Sequence, residues 1–339
     1  MRITVIGAGT WGTALSILLA SNHHEVTLWS KIEKEILSMK EDRTKIRNLP
    51  GAVMPDSVKL TTDLDEALSG DIDIIVMATA SIFIRETARS IAPRIKDGQI
   101  IVNVAKGIEE KTLKTLTEVI SDEIPNGEIC VLSGPTHAEE VSVHIPSTIV
   151  VGSHRKDAAE KIQDAFMTDY FRVYTSSDVL GIELGGSLKN VIALAAGISD
   201  GLGFGDNTKA ALMTRGIAEI SRLGVEMGGC PETFSGLSGM GDLMVTCTSN
   251  HSRNRNAGYL MGQGKSCEAA MGLIGQTVEG VYCAKAALAL SKKYNICMPI
   301  VEQVCKVLFE DKSPAKAVHD LFTRDKKAEY DNLSWQECD

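Results

Sequence analysis

A doubly wound α/β sheet followed by an all-helical region is the fold this sequence predicts, and three observations predict it. Short apolar, β-branched runs alternate with helical segments through the first half. A glycine triplet stands directly after the first of these runs, and strand signals stop beyond Asp178. The 339 residues suit about two domains. Residues 1–177 read as a dinucleotide-binding domain, 178–330 as a helical substrate and catalytic domain, and 331–339 as a charged tail.

The first run, Ile3, Val5 and Ile6, has the composition of a buried strand. GAGTWG follows at Gly7 to Gly12, then a helical stretch from Thr13 to Ala20. In such a strand–turn–helix unit Gly7 allows the tight turn, Gly9 lets the backbone approach a pyrophosphate, and Gly12 permits close packing of helix on strand. The pyrophosphate belongs at the helix N-terminus, where free N–H groups and the dipole favour an anion.

Glu25 to Trp29 is the next expected strand. An NAD-selective fold would place a carboxylate at its end to hold the ribose 2′-hydroxyl. Here Trp29-Ser30-Lys31 stands instead. Lys31 either meets a 2′-phosphate, so that NADP is accepted, or is the solvated start of the helix running to about Met39. Breaker-rich Leu49 to Pro55 reads as a loop, and Thr62-Asp63 as the cap of a short helix to Leu68. Asp73 to Ala78, Gln99 to Asn103 and Ile129 to Leu132 are expected buried strands, with a helix ending at Ile91 between the first two. Ligands in such sheets bind past the C-terminal strand ends, where Gly9, Thr79, Lys106 and the turn Ser133-Gly134-Pro135-Thr136-His137 would lie. Ser147 to Val151 and Phe171 to Tyr174, around a helix from Asp157 to Met167, complete the sheet.

The second half is helical. Leu184 to Ile198 is a long apolar helix that carries Lys189 and Asn190. Lys189 is either a desolvated ammonium of lowered pKa, able to exchange a proton with a substrate hydroxyl, or a lysine that snorkels to solvent. Asp242 follows a glycine-rich turn and could define that ammonium's position and charge; Thr246 lies one turn on. Ser252-Arg253-Asn254 offers a hydroxyl, a guanidinium fork and an amide suited to phosphate, or simply a polar helix start capped by Ser252. Further helices are expected at Thr277 to Ala289, with Glu279 near its start, and at Ile300 to Phe309.

Composition narrows the function. The chain is 44% hydrophobic and 23% charged, as for a globular protein with a full core. A net charge of −9 argues against nucleic acid as a partner, because phosphate backbones need a basic surface. Eight cysteines show neither a CxxC pair nor zinc spacing, so reduced thiols and no metal are expected. A strand beginning at residue 3 leaves no room for a signal peptide, and no apolar run is read as long enough to span a bilayer, so a cytoplasmic protein is expected.

Six ordered motifs resemble bacterial NAD(P)-dependent sn-glycerol-3-phosphate dehydrogenase. They are GAGTWG (Gly7–Gly12), NVAKGIE (Asn103–Glu109), LSGPTHAEEV (Leu132–Val141), LGGSLKNVIALAAGISDG (Leu184–Gly201), LSGMGDLMVTCTSNHSRN (Leu237–Asn254) and VEGVY (Val278–Tyr282). The resemblance covers Ile3 to about Tyr330. It implies a Rossmann-type domain against a helical one, a site between them, and reversible hydride transfer between NAD(P)H and dihydroxyacetone phosphate for glycerophospholipid synthesis. It also implies a possible homodimer. By position it makes Lys189 the general acid/base and sets Lys106, Asn190, Asp242 and Thr246 around the reacting end of the substrate. Arg253 and Asn254 hold the phosphate, and Gly134, Thr136 and Ser252 are further substrate contacts. Cofactor positions match Thr10, Trp11, Lys31, Lys106, Ala138, Arg253 and Glu279. Two departures stand out: Thr10 where serine is common, and His137 where many members carry an aromatic residue. The rivals are a hydroxy-acid dehydrogenase, which would need a carboxylate clamp in place of Ser-Arg-Asn, and a cofactor sensor, which would lack Lys189 or Asp242.

Overall fold

The structure, a computed structural model, describes residues 1–46 and 49–329; the expected tail at 331–339 lies outside the described residues. An eight-stranded sheet is formed by β1 (Arg2–Ile6), β2 (Glu25–Trp29), β3 (Lys59–Thr61), β4 (Ile74–Met77), β5 (Ile100–Asn103), β6 (Glu128–Ser133), β7 (Ser147–Gly152) and β8 (Phe171–Ser176). Its order is β3-β2-β1-β4-β5-β6-β7-β8, parallel except between β6 and β7. β3 was not anticipated. It is three residues long, too short for an alternation signal, and is defined by pairing with β2.

The helices between strands are α1 (Thr10–Ser21), α2 (Glu33–Glu41), α3 (Leu64–Ala67), α4 (Ile84–Ile91), α5 (Leu116–Glu123), α6 (Ala138–Val141) and α7 (Lys156–Phe166). They cover both faces of the sheet. Val5, Val76 and Val102 pack with α1 and α7, whereas Ile6, Ile75, Met77 and Ile101 pack with α4 and α5. This is why the central strands read as unbroken apolar runs. Asp63 caps α3 as expected, accepting from the amides of Asp65 and Glu66.

The chain turns back at the boundary between β1 and β4, the switch point at which such sheets open a crevice. Register aligns Ile6 with Met77, Met77 with Asn103 and Asn103 with Val131. The segments after β1, β4, β5 and β6 therefore emerge side by side along one edge.

Beyond β8 the described elements are helical: α8 (Val179–Gly201), α9 (Asp206–Glu226), α10 (Pro231–Ser235), α11 (Asp242–Thr248), α12 (Arg253–Gly262), α13 (Cys267–Ile274), α14 (Glu279–Lys293), α15 (Pro299–Phe309) and α16 (Pro314–Phe322). α8 is longer than the sequence suggested, and α9 was not anticipated. By length and apolarity alone α8 could cross a membrane, contrary to the expectation that no run is long enough. However, the 18-residue window of α8 that passes this test is 89% buried inside the protein, as befits a core helix. α12 crosses α8 at backbone contact: a Cβ on Gly197 would stand 1.9 Å from the Arg255 carbonyl oxygen, and one on Gly258 2.1 Å from that of Leu194.

Gly197→Ala is expected to force α8 and α12 apart and cost on the order of 1–3 kcal/mol, the usual range for overpacking. A lowered urea midpoint would register it; an unchanged midpoint would mean that the two helices separate freely.

Candidate active site

The glycine turn after β1 has the geometry its sequence suggested. Gly7 has φ +117, and a Cβ there would lie 2.8 Å from the Ala78 carbonyl oxygen. A Cβ on Gly12 would meet the Gly7 carbonyl oxygen at 2.0 Å, so only glycine lets α1 start this close to the strand. Gly9 is exposed, and nothing lies within 4 Å of where its Cβ would be. No side chain caps α1 and no acidic residue occupies its first turn, so the amides near Thr10 and Trp11 keep the positive helix end that favours an anion. These features fit a dinucleotide pyrophosphate.

Lys31, just past β2, is exposed and pairs with Glu86 of α4 at 2.9 Å. Ser30 beside it donates to Glu35 at 2.7 Å. Glu86 lies 55 residues from Lys31 along the chain, so residue spacing gives no sign of this pair.

Across the crevice, α8 brings Lys189 to the sheet edge. Gly186 leaves space that a Cβ would fill, 2.6 Å from Ser133 Oγ and 3.7 Å from Lys106 Cδ. Ser187 Oγ donates to the Gly107 carbonyl oxygen at 3.1 Å. Gly185 packs on the backbone of Ser238 in a π-helical turn, Leu237–Gly241, which leads into α11. That turn sets Asp242 between the two lysines. Lys189 Nζ lies 2.9 Å from Asp242 Oδ1, and Lys106 Nζ 2.5 Å from Oδ2. Lys106 also donates to the Gly134 carbonyl oxygen at 3.1 Å, and Lys189 to Thr246 Oγ1 at 2.5 Å.

The Lys189 side chain is only 7% exposed, which settles the choice between desolvation and snorkelling. An ion pair at this distance gains about 6 kcal/mol at the effective dielectric of such sites, while each buried ion loses several kcal/mol of hydration. The balance is close, and burial wins for the lysine. Its pKa falls to about 8; Asp242 opposes the fall and Lys106 adds to it. Burial alone would raise the Asp242 carboxyl, but the two ammonium groups outweigh it and hold it below its ordinary value. His137 is pushed down to about 4, by burial first and then by Lys189 and Lys106.

The Ser-Arg-Asn segment starts α12. Ser252 caps it through the Arg255 amide at 3.2 Å. Asn254 is committed at both ends of its amide, donating to Asn190 Oδ1 at 2.9 Å and accepting from the Gly280 amide at 2.8 Å. The Arg253 side chain is exposed and makes no hydrogen bond or ion pair among the described residues. Glu279, at the first turn of α14, accepts from the Ser81 amide at 3.1 Å and from its hydroxyl, bridging the helical region to the β4–α4 turn. Burial raises the Glu279 pKa. Ser81 went unrecognised in the sequence because its partner lies 198 residues away. Gly134 is buried, Thr136 and Ala138 flank His137 in the turn after β6, and all lie on the same edge as Lys106.

Family models for the N- and C-terminal parts of NAD-dependent glycerol-3-phosphate dehydrogenase match residues 2–159 and 178–319. The chain belongs to this family. It is 56% identical over 335 residues to the glycerol-3-phosphate dehydrogenase [NAD(P)+] of Agathobacter rectalis, covering 99% of each chain. It is 55% identical to that of Fusobacterium nucleatum, over 97% of this chain and 98% of the other. A crystal structure of glycerol-3-phosphate dehydrogenase from Coxiella burnetii superimposes with a TM-score of 0.91 at 38% identity, covering 95% of this chain and 99% of that one. Membership makes the chain an NAD(P)-dependent oxidoreductase with a Rossmann-type sheet.

Asp242→Asn would leave Lys106 and Lys189 facing one another without a counter-charge. The Lys189 pKa is then expected to fall below about 8, read as an acid-shifted pH dependence of Lys189 amine labelling. A pKa that rises or stays would mean Asp242 does not set this charge.

Proposed function

We propose that this chain catalyses reversible hydride transfer between NAD(P)H and dihydroxyacetone phosphate, giving sn-glycerol 3-phosphate for glycerophospholipid synthesis. The observation that carries the reading is the Lys106–Asp242–Lys189 cluster, in which the buried Lys189 ammonium is desolvated beside the half-buried Lys106. The chemistry a bound nicotinamide supplies is the hydride, donated in reduction and accepted in oxidation.

Lys189 acts as general acid in reduction and general base in oxidation. As the substrate carbonyl gains a hydride, negative charge grows on its oxygen, and the Lys189 ammonium stabilises that charge and gives up a proton. A pKa near 8 keeps both protonation states within reach at neutral pH. Asp242 and Thr246 hold the nitrogen in place, and Lys106 adds positive field where little water screens it. Asn190 lines the same end. Arg253, Ser252 and the backbone amide of Asn254 meet the phosphate at the start of α12, where free amides favour an anion, and Gly134 and Thr136 close the opposite side. Gly7, Gly9, Thr10, Trp11 and Gly12 hold the pyrophosphate, Lys31 meets the ribose end, and Ala138, Lys106, Arg253 and Glu279 line the rest of the cofactor path. Residues 1–177 thus supply most of the cofactor contacts and 178–330 most of the substrate contacts. The reading extends to a homodimer working in the cytoplasm.

Initial rates with NADPH and NADH, using dihydroxyacetone phosphate and unphosphorylated dihydroxyacetone in parallel, test it. Turnover only with the phosphate ester is expected; equal rates with both would sink the clamp. Lys189→Ala should bind NADPH and lose at least about 100-fold in kcat. At saturation, kcat for reduction should fall as pH rises through about 8, and kcat for oxidation should rise over the same range, because the two directions need opposite states of Lys189. Glu86→Gln frees Lys31 from an exposed ion pair, a type that contributes about 0.2–1 kcal/mol. The NADPH-to-NADH ratio of kcat/KM should therefore rise by roughly two- to fivefold; no rise would separate Lys31 from cofactor choice.

A further inference from the structure

Among the described residues, four buried polar side-chain atoms lack a hydrogen-bond partner: Thr79 Oγ1, Ser133 Oγ, His137 Nε2 and Ser199 Oγ. Ser199 belongs to the core of α8, but the other three follow or end β4 and β6 on the binding edge. A hydroxyl can turn to a new partner at little cost, whereas an imidazole has two fixed directions. A buried unmet group of this kind costs about 1–3 kcal/mol, so His137 is a poor choice for packing alone.

The ring faces charged groups on several elements. Lys106 follows β5, Lys189 comes from α8 and Asp242 opens α11, while the His251 ring, just before α12, lies 5.8 Å away at 53°. Burial first, and then the two nearby ammonium groups, keep the imidazole uncharged, so it is no counter-ion for a phosphate. An uncharged imidazole keeps one N–H donor and one bare acceptor nitrogen, which suits it to a neutral hydroxyl or carboxamide that can both give and take a hydrogen bond. Its chain neighbours Thr136 and Ala138 are the positions assigned above to substrate and cofactor, so both reactants pass this ring.

We propose that His137 is a binding residue whose imidazole hydrogen-bonds an uncharged polar group of the bound reactants and so orients their reacting ends beside Lys106 and Lys189. The inference rests on the proposed function. Two groups share the required chemistry, the carboxamide of the nicotinamide and the hydroxyl end of the three-carbon substrate.

His137→Phe keeps an aromatic ring and removes both nitrogens, while His137→Gln restores a neutral donor and acceptor. Both are made in the full chain. Three properties are measured: NADPH affinity by nicotinamide fluorescence, KM and kcat for dihydroxyacetone phosphate, and the thermal midpoint. For His137→Phe we expect a three- to tenfold loss, the usual effect of one neutral hydrogen bond, with an unchanged or higher midpoint because an unmet buried group has gone. His137→Gln should recover most of the loss. Weaker binding of NADPH alone assigns the carboxamide; a raised KM with NADPH affinity intact assigns the substrate. The inference is overturned if neither property moves by more than about twofold. It is equally overturned if both fall together with the midpoint and glutamine does not rescue, which marks a packing residue. Should the wild-type chain bind NADPH but fail to reduce dihydroxyacetone phosphate, the proposed function fails. The NADPH arm then decides His137 alone, and an unchanged affinity overturns this inference too.

Discussion

Lys189 can sit in the middle of an apolar 23-residue helix only because Asp242 reaches its nitrogen at 2.9 Å. A lone buried ammonium would be neutral or would drag water inward. Much of the helical half serves to bring that carboxylate into place. Gly185 lets the π-helical turn approach α8 at backbone distance, and the turn ends where α11 begins, at Asp242. π-Helical turns are rare and tend to occur at functional positions. Thr246, one turn along α11, then receives the lysine's hydrogen bond. The same carboxylate also holds Lys106, so the sheet edge and the helical core meet on one side chain.

That shared carboxylate is one of several ties across the two halves. Ser187 Oγ reaches the Gly107 carbonyl oxygen, Glu183 accepts from the amide and hydroxyl of Thr117 at the start of α5, and Glu279 accepts from Ser81. Each joins a helix of the second half to a segment following the sheet or to α5, and Ser187 and Glu279 each have a glycine beside them, Gly186 and Gly280. Burial raises the pKa of both Glu183 and Glu279. The geometry of the crevice is therefore set by a few directional bonds together with an apolar contact of Val131 and Val150 on the sheet against Val179 and Ile182 of α8.

The charge balance of the site follows from its place on the sheet. Strand register delivers Gly7, Thr79, Lys106 and Gly134 to one edge whatever the rest of the chain does. α1 contributes an uncapped N-terminus at one end of that edge and α12 a serine-capped one at the other. Both favour anions. Between them lie two ammonium groups and one carboxylate, so a chain of net charge −9 still presents a locally positive crevice.

The sequence by itself determined the parallel sheet, its glycine turn and the helical second half, because periodicity and the conformational needs of glycine are local properties. It also marked Ser252 as a helix cap, since capping acts within one turn. The roles carried over by resemblance point to residues that do converge: Lys106, Lys189, Asp242 and Thr246 form one hydrogen-bonded cluster. Only the tertiary structure decided that both lysines share one carboxylate, that Lys31 pairs with Glu86, that Asn254 is held at both ends of its amide, and that Ser81 receives Glu279. β3 likewise needed β2 beside it, being too short to show a pattern. Each of these depends on groups distant in sequence, and whether a lysine is desolvated or solvated is a property of what packs around it, which no spacing of residues along α8 can express.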